Sequence, residues 1–158
     1  QQFDTPDNLY EKPANLFVAN FMGNPPMNFI KARLEGNRIR IMDSYINIEM
    51  PLLPHEDGSD VKIGTRSHKM PFSLDRSEDA PIRMEVRNVE NLGKELLVYG
   101  RIGDDEIRVS VQDKSLYSEL RSRAGRKHSC YVGLGKSYNV FMTSDGNNIV
   151  DFKEVKNA

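Results

Sequence analysis

Pro25 and Pro26 stand back to back, and no other feature restricts so tightly what this chain can fold into. Two successive prolines remove two backbone donors and force the residue before each into extended geometry, so neither a helix nor a central strand can run through them. The apolar period differs on the two sides. Before the pair, Phe17, Val18, Phe21 and Met22 recur at one, four and five residues, one stripe of a helix with Asn15, Ala19 and Asn20 turned the other way. Gly23 releases the side-chain constraint, so that helix stops by Met22. Upstream, Thr5-Pro6 reads as a helix start running to about Lys12, and Pro13 separates it from the striped helix. The expected organisation is therefore a helical stretch and connector over 1–27, then a β domain over 28–158.

From Ile30 the period is two. Ile30, Ala32 and Leu34 alternate with Lys31, Arg33 and Glu35, and Gly36-Asn37 supplies a hairpin turn before Ile39 and Ile41. Ile46, Ile48 and Met50, then Val61 and Ile63 after a polar loop over Pro54–Asp60, complete an expected meander of four strands. Ser67–Pro81 has no periodicity and reads as a surface loop. Ile82, Met84 and Val86 alternate, but the next apolar residue is Val89, a phase slip that predicts a β-bulge near Asn88. Leu96, Val98 and Ile102 turn through Gly103-Asp104-Asp105 into Ile107, Val109 and Val111. Leu116 and Leu120, with Gly125 beyond, predict a short helix; strands follow at about Ser129–Leu134 and Tyr138–Met142, and Asp145-Gly146 turns the chain into Ile149-Val150. Many short strands with few helices predict an all-β fold, an OB-type barrel of antiparallel strands with short N-terminal helices.

Composition narrows function by exclusion. Lys plus Arg (22) nearly cancel Asp plus Glu (23), so no global field draws this chain to nucleic acid or an acidic membrane. No apolar run reaches the length of a membrane span, and no signal peptide pattern is seen. Cys130, the single cysteine, has neither a disulfide partner nor zinc-site companions, and its alternation with Val132 and Leu134 makes it a core residue.

Four clusters could carry chemistry. Gly133-Leu134-Gly135-Lys136-Ser137 ends like a phosphate-binding loop, but Cys130 stands where the loop needs its first glycine, and Tyr138, Val140 and Phe141 predict a strand where the loop needs a helix. His55, His68 and His128 lack the spacing that would bring two to one metal. The acids His55-Glu56-Asp57 and Asp104-Asp105-Glu106 sit at turns and serve solubility. Arg121, Arg123, Arg126 and Lys127, with Tyr117 and Tyr131 nearby, could meet phosphates and bases, but the aromatics do not interleave with them and a helix C-terminus favours cations anyway. No catalytic residue, metal site or cofactor site is predicted in this chain.

The stretch from Gln1 to Phe29 closely resembles a segment of sugar-type ABC importer ATPases. Gln1-Gln2-Phe3-Asp4-Thr5-Pro6 is similar to that family's Gln-Gln-Ile-Gly-Thr-Pro, Pro13-Ala14-Asn15 to its Pro-Ala-Asn, Phe17-Val18-Ala19-Asn20-Phe21-Met22-Gly23 to Phe-Val-Ala-x-Phe-Ile-Gly, and Pro26-Met27-Asn28-Phe29 to the end of Pro-x-Met-Asn-Phe. The likeness returns at Val89-Glu90-Asn91-Leu92-Gly93-Lys94-Glu95, similar to Val-Glu-x-Leu-Gly-x-Glu, and at Phe141 ahead of Asp145-Gly146. It departs where the family has Gly-Ile-Arg-Pro-Glu-His-Leu: here Gly64-Thr65-Arg66-Ser67-His68-Lys69-Met70 keeps the glycine and arginine alone.

The resemblance implies a C-terminal regulatory domain of the TOBE or MOP-like kind, at the cytoplasmic face of the cell membrane. Its helical tail belongs to a nucleotide-binding domain that this chain lacks and that would use ATP and Mg. Implied partners are that domain, a second copy of the ATPase subunit, the permease subunits reached through the missing domain, and regulatory proteins; nucleic acid is not among them. The positions carried over, with structural or interface roles, are Phe17, Phe21, Gly23, Pro26, Met27, Asn28, Gly64, Arg66, Glu90, Gly93, Glu95 and Phe141. The striped helix either docks on the absent domain or caps the β core. Two other classes stay open: a barrel sensing small oxyanions, as related importers carry, and a nucleic-acid-binding OB-fold.

Because the Gly-Lys-Ser sequence fails in both spacing and context, calorimetric titration of the chain with ATP is expected to show no binding and no hydrolysis. Micromolar affinity would contradict this reading.

Overall fold

The computed structural model describes residues 13–16, 27–125 and 128–154. The helix expected over 17–22 and the residues Phe17, Phe21, Gly23 and Pro26 lie outside these, as do the short helix from Thr5 and the cations Arg126 and Lys127. The fold is all-β, with curled antiparallel sheets consistent with the OB type that the sequence predicts. It divides into two compact units: one holds the residues up to Thr65 and those from Lys136 onward, the other Arg66–Gly135. The boundaries at Thr65 and Lys136 are not among those the sequence predicts.

The first unit is a five-stranded sheet built from β1 (Asn28–Glu35), β2 (Arg38–Ile41), β3 (Ser44–Asn47), β4 (Asp60–Thr65) and β10 (Asn139–Met142), in the order β10-β4-β1-β2-β3. Gly36, at φ 60°, makes the β1–β2 turn, because positive φ is where glycine costs least. The four-strand meander is corrected here. β4 does not follow β3 in space but returns to the far side of β1, with Ile30 opposite Ile63. The intervening loop is long enough for this return, and it is tied to β1 on the way: Gly58 N–H donates to Leu34 O (2.7 Å) and Leu34 N–H to Ser59 O (3.0 Å). β4 thus becomes a central strand, with Val61, Ile63 and Thr65 buried, and β10 covers its other edge. Ile46 and Ile48 are half-buried rather than core, and β3 ends at Asn47.

The second unit is a sheet of β5 (Phe72–Ser73), β6 (Ile82–Asn91), β7 (Leu96–Ile102), β8 (Asp105–Val111) and β9 (Ser129–Val132), in the order β5-β9-β6-β7-β8. Ile82, Met84, Val86 and Val89 of β6 are buried, and the pairing with β7 slips between Val86 and Asn88, where the phase slip predicts it. The extra residue lets both Val86 and Val89 face inward. Ser67–Pro81, expected to be a surface loop, contains a 3-10 turn at Ser67–Lys69 and the strand β5, which pairs with β9 through Phe72 and Val132. Its periodicity is invisible because a two-residue strand has none. The predicted helix is α1 (Tyr117–Arg123), held on β6 by the fully buried Leu120 and stopped by Gly125 at φ 74°.

Candidate functional site

Four residues carried over from the family pattern meet in the first unit. Met27 and Phe141 form a small buried cluster against which Leu16 and Phe29 pack, and the rings of Phe29 and Phe141 meet edge to face with centroids 6.0 Å apart. Gly64 lies beneath them, opposite Phe29 on β1 and Asn139 on β10. A β-carbon at Gly64 would overlap Met27 Sδ and stand 2.7 Å from Phe141 Cε2, so the glycine is required by close approach. Asn28, also buried, pairs with Thr65. Met27, Phe29, Gly64 and Phe141 therefore share one volume.

A second constellation, which sequence reading missed, ties the segment 13–16 to residues 146–148. Leu16 N–H donates to Gly146 O (3.0 Å) and Asn148 N–H to Ala14 O (2.9 Å). The Asn148 side chain completes the seam: Nδ2 donates to Pro13 O (2.7 Å) and Asn139 Oδ1 (2.9 Å), while Oδ1 accepts from Val150 N–H (3.1 Å). Leu53 N–H bonds Ile149 O (2.7 Å), and Ile149 N–H bonds Val140 O (2.8 Å), so 146–150 bonds with three segments at once. Asn139 gave the only available signal: asparagine is disfavoured in strands, and one buried in a strand needs a partner.

Of the other carried-over positions, Arg66, Glu90, Gly93 and Glu95 lie in the second unit, and Phe17, Phe21, Gly23 and Pro26 lie outside the described residues. Glu90, Gly93 and Glu95 belong to the β6–β7 hairpin. Gly93 has φ 89° and its N–H donates to Asn91 Oδ1 (2.9 Å); Lys114 Nζ donates to Gly93 O (2.7 Å) and Gln112 Nε2 to Glu95 (3.0 Å). This motif fixes a turn. Arg66 is buried at the start of the unit, where its carbonyl accepts from Lys69 N–H (3.0 Å).

The remaining clusters serve structure. Arg121 donates to the Tyr117 hydroxyl (3.0 Å). Arg123 pairs with Glu119 (3.0 Å) and donates to Leu74 O and Ser129 O (3.2 and 2.6 Å). Asp57 accepts from Gly36 N–H (2.6 Å), and His55 Nδ1 lies 2.9 Å from Leu53 O. Gly133 is pressed against the Asp79 carbonyl, and no helix follows Gly135-Lys136-Ser137, so the ATP and Mg that the resemblance implies do not fit these residues. Burial pushes the Cys130 thiol up to about 12, despite the opposing effect of Arg123, which keeps it protonated and unreactive near neutrality. Among the described residues no group of three metal-ligating side chains occurs, and no helix is long and apolar enough to cross a membrane.

The fold is thus a β domain with one seam centred on Gly64 and another on Asn148. No family model matches the chain. It is 33% identical over 128 residues to the sn-glycerol-3-phosphate import ATP-binding protein UgpC of Bordetella pertussis, covering 79% of this chain and 34% of that protein. It is 29% identical over 170 residues to the diacetylchitobiose uptake system ATP-binding protein MsiK of Streptomyces coelicolor, covering 96% and 43%. The cytoplasmic molybdate-binding protein ModG aligns at a TM-score of 0.49 with 13% identity, over 72% of this chain and 94% of that one. The homologues of this chain are thus ATP-binding subunits of ABC importers for sugars and glycerol phosphate, and the chain spans about a third of the length of the UgpC protein it matches.

Gly64→Val is expected to destabilise the chain by about 1–3 kcal/mol through overpacking against Met27 and Phe141. The readout is a lower denaturant midpoint at unchanged slope; an unmoved midpoint would contradict the close approach. Asn148→Ala leaves Pro13 O and Val150 N–H short of a partner and is expected to cost about 1–3 kcal/mol, with faster amide exchange at Leu16. Unchanged exchange there would refute the seam.

Proposed function

We propose that this chain is the C-terminal regulatory domain of an importer ATP-binding subunit, which works on sugars or similar solutes from the cytoplasmic face of the membrane. What carries the reading is the likeness to such subunits over most of this chain but only a third of UgpC, together with the lack of any fitting nucleotide site in the residues described. The whole protein would bind ATP and Mg in a domain preceding Gln1, pair with a second copy, and move the permease subunits through that domain. Regulatory proteins are the further class of partner. By itself this chain is not an enzyme.

The seam at Pro13–Leu16 supports a mechanical role. A segment bonded to both the 146–148 turn and, through Leu16, the Met27–Phe141 cluster passes displacement upstream of Pro13 directly into the first unit's sheet. Two copies held together by their nucleotide-binding domains would meet through these β domains at high effective concentration, so the β contact itself need not be strong. Among the described residues the exposed large apolar side chains, Met42, Tyr45, Leu53 and Leu92, are few, which suits a weak contact better than an obligate one.

Sedimentation equilibrium of this chain at micromolar concentration is therefore expected to show mostly monomer. A dimer that survives dilution to nanomolar concentration would contradict that and make the β domain the primary dimerisation module.

A further inference from the structure

The second unit contains a groove of about 550 Å³ over β6, β7 and β8, lined by Arg87, Tyr99, Arg101, Glu106 and Arg108. Nothing in the hairpin architecture requires three guanidinium groups here: the inward residues Val98, Ile102, Ile107 and Val109 already supply the buried face. Tyr99 and Arg108 are direct cross-strand partners, as are Arg101 and Glu106, so the charged groups and the ring sit on one patch of sheet. The bulge between Val86 and Asn88 places Arg87 beside them.

We propose that this groove binds a small polyhydroxylated molecule bearing a phosphate, sulfonate or carboxylate group. The lining carries three cations against one carboxylate. The ion pairs that occupy two of the cations are loose: Arg87 lies 3.6 Å from Glu85, and Arg101 3.7 Å from Asp104, whose side chain is 86% exposed. Those separations exceed a good charge-assisted hydrogen bond, and such pairs are weak, so an oxyanion displaces them at little cost. Arg101 Nε has no hydrogen-bond partner among the described residues, so the Asp104 pair is what holds this guanidinium. Glu106 makes an extended phosphate backbone a poor occupant but accepts hydrogens from hydroxyl groups, and the Tyr99 ring offers a face to the C–H side of a sugar or polyol. The volume suits a small molecule. This proposal stands independently of whether the chain belongs to a transporter.

The test is an amide-resolved NMR titration of the 158-residue chain at low salt with glucose 6-phosphate, glucose and inorganic phosphate as separate probes. Saturable shifts confined to β6–β8 are expected with glucose 6-phosphate, about tenfold or more tighter than with either other probe. Arg101→Ala should weaken binding about tenfold, Arg108→Gln should do so in a second background that keeps Arg101, and Arg83→Ala, on the same strand as Arg87 but outside the groove, should not. Glu106→Ala should erode the preference for glucose 6-phosphate over inorganic phosphate. The proposal is overturned by the absence of saturable shifts in the parent, by equal affinity for inorganic phosphate, or by undiminished binding in both arginine variants when their spectra stay dispersed.

Discussion

One missing side chain sets the geometry of the first unit. Position 64 lies on the inner strand β4, between β10 and β1, and because it carries no β-carbon, Met27 and Phe141 can settle over the sheet where any other residue would hold them off. Interiors are packed at crystal-like density, so such a vacancy in one strand is filled by its neighbours. Met27 fixes where the connector after Pro25-Pro26 lands, Phe29 begins β1 opposite Gly64, and Phe141 sets β10 on the far edge. A chain that starts the sheet at β1 and finishes it at β10, more than a hundred residues later, is closed at this point.

The hydrogen bonds around Asn148 extend that closure to the segment before the prolines. Backbone groups at 14 and 16 need partners, and since this segment lies outside the strand ladders, residues 146 and 148 supply them. The side-chain amide adds the Pro13 carbonyl, which no proline N–H can answer in a ladder of its own. The resulting path runs from Pro13 through Leu16 to the Met27–Phe141 cluster by direct contacts.

How much of this was legible depends on whether a feature is local. Period-two alternation exposed β1, β6, β7 and β8, because each buries one face, and the skipped beat before Val89 exposed the bulge. The same alternation could not say that β4 pairs with β1 instead of β3, since a pattern names the buried face of a strand and not its neighbour. The 3-10 turn and β5 were unreadable in Ser67–Pro81 because neither is long enough to show a period. The basic cluster looked available in the sequence, yet Arg123 is spent on the Leu74 and Ser129 carbonyls, acceptors to which a sequence assigns no side chain. Likewise the glycine at 64 and the Met-Asn-Phe at 27–29 were visible as a resemblance, but their shared volume was not, and Asn148 gave no sign beyond standing in a turn.

The central proposal, that this β domain shares a chain with an importer ATPase and does not itself hydrolyse ATP, is tested most directly by measuring ATP hydrolysis by the product of the complete natural gene beside that of residues 1–158. Magnesium-dependent hydrolysis by the complete protein, abolished by substituting the lysine of a phosphate-binding loop upstream of Gln1 and absent from residues 1–158, is the predicted result. A complete product without such a loop or without hydrolysis, or hydrolysis by residues 1–158 alone, would contradict it.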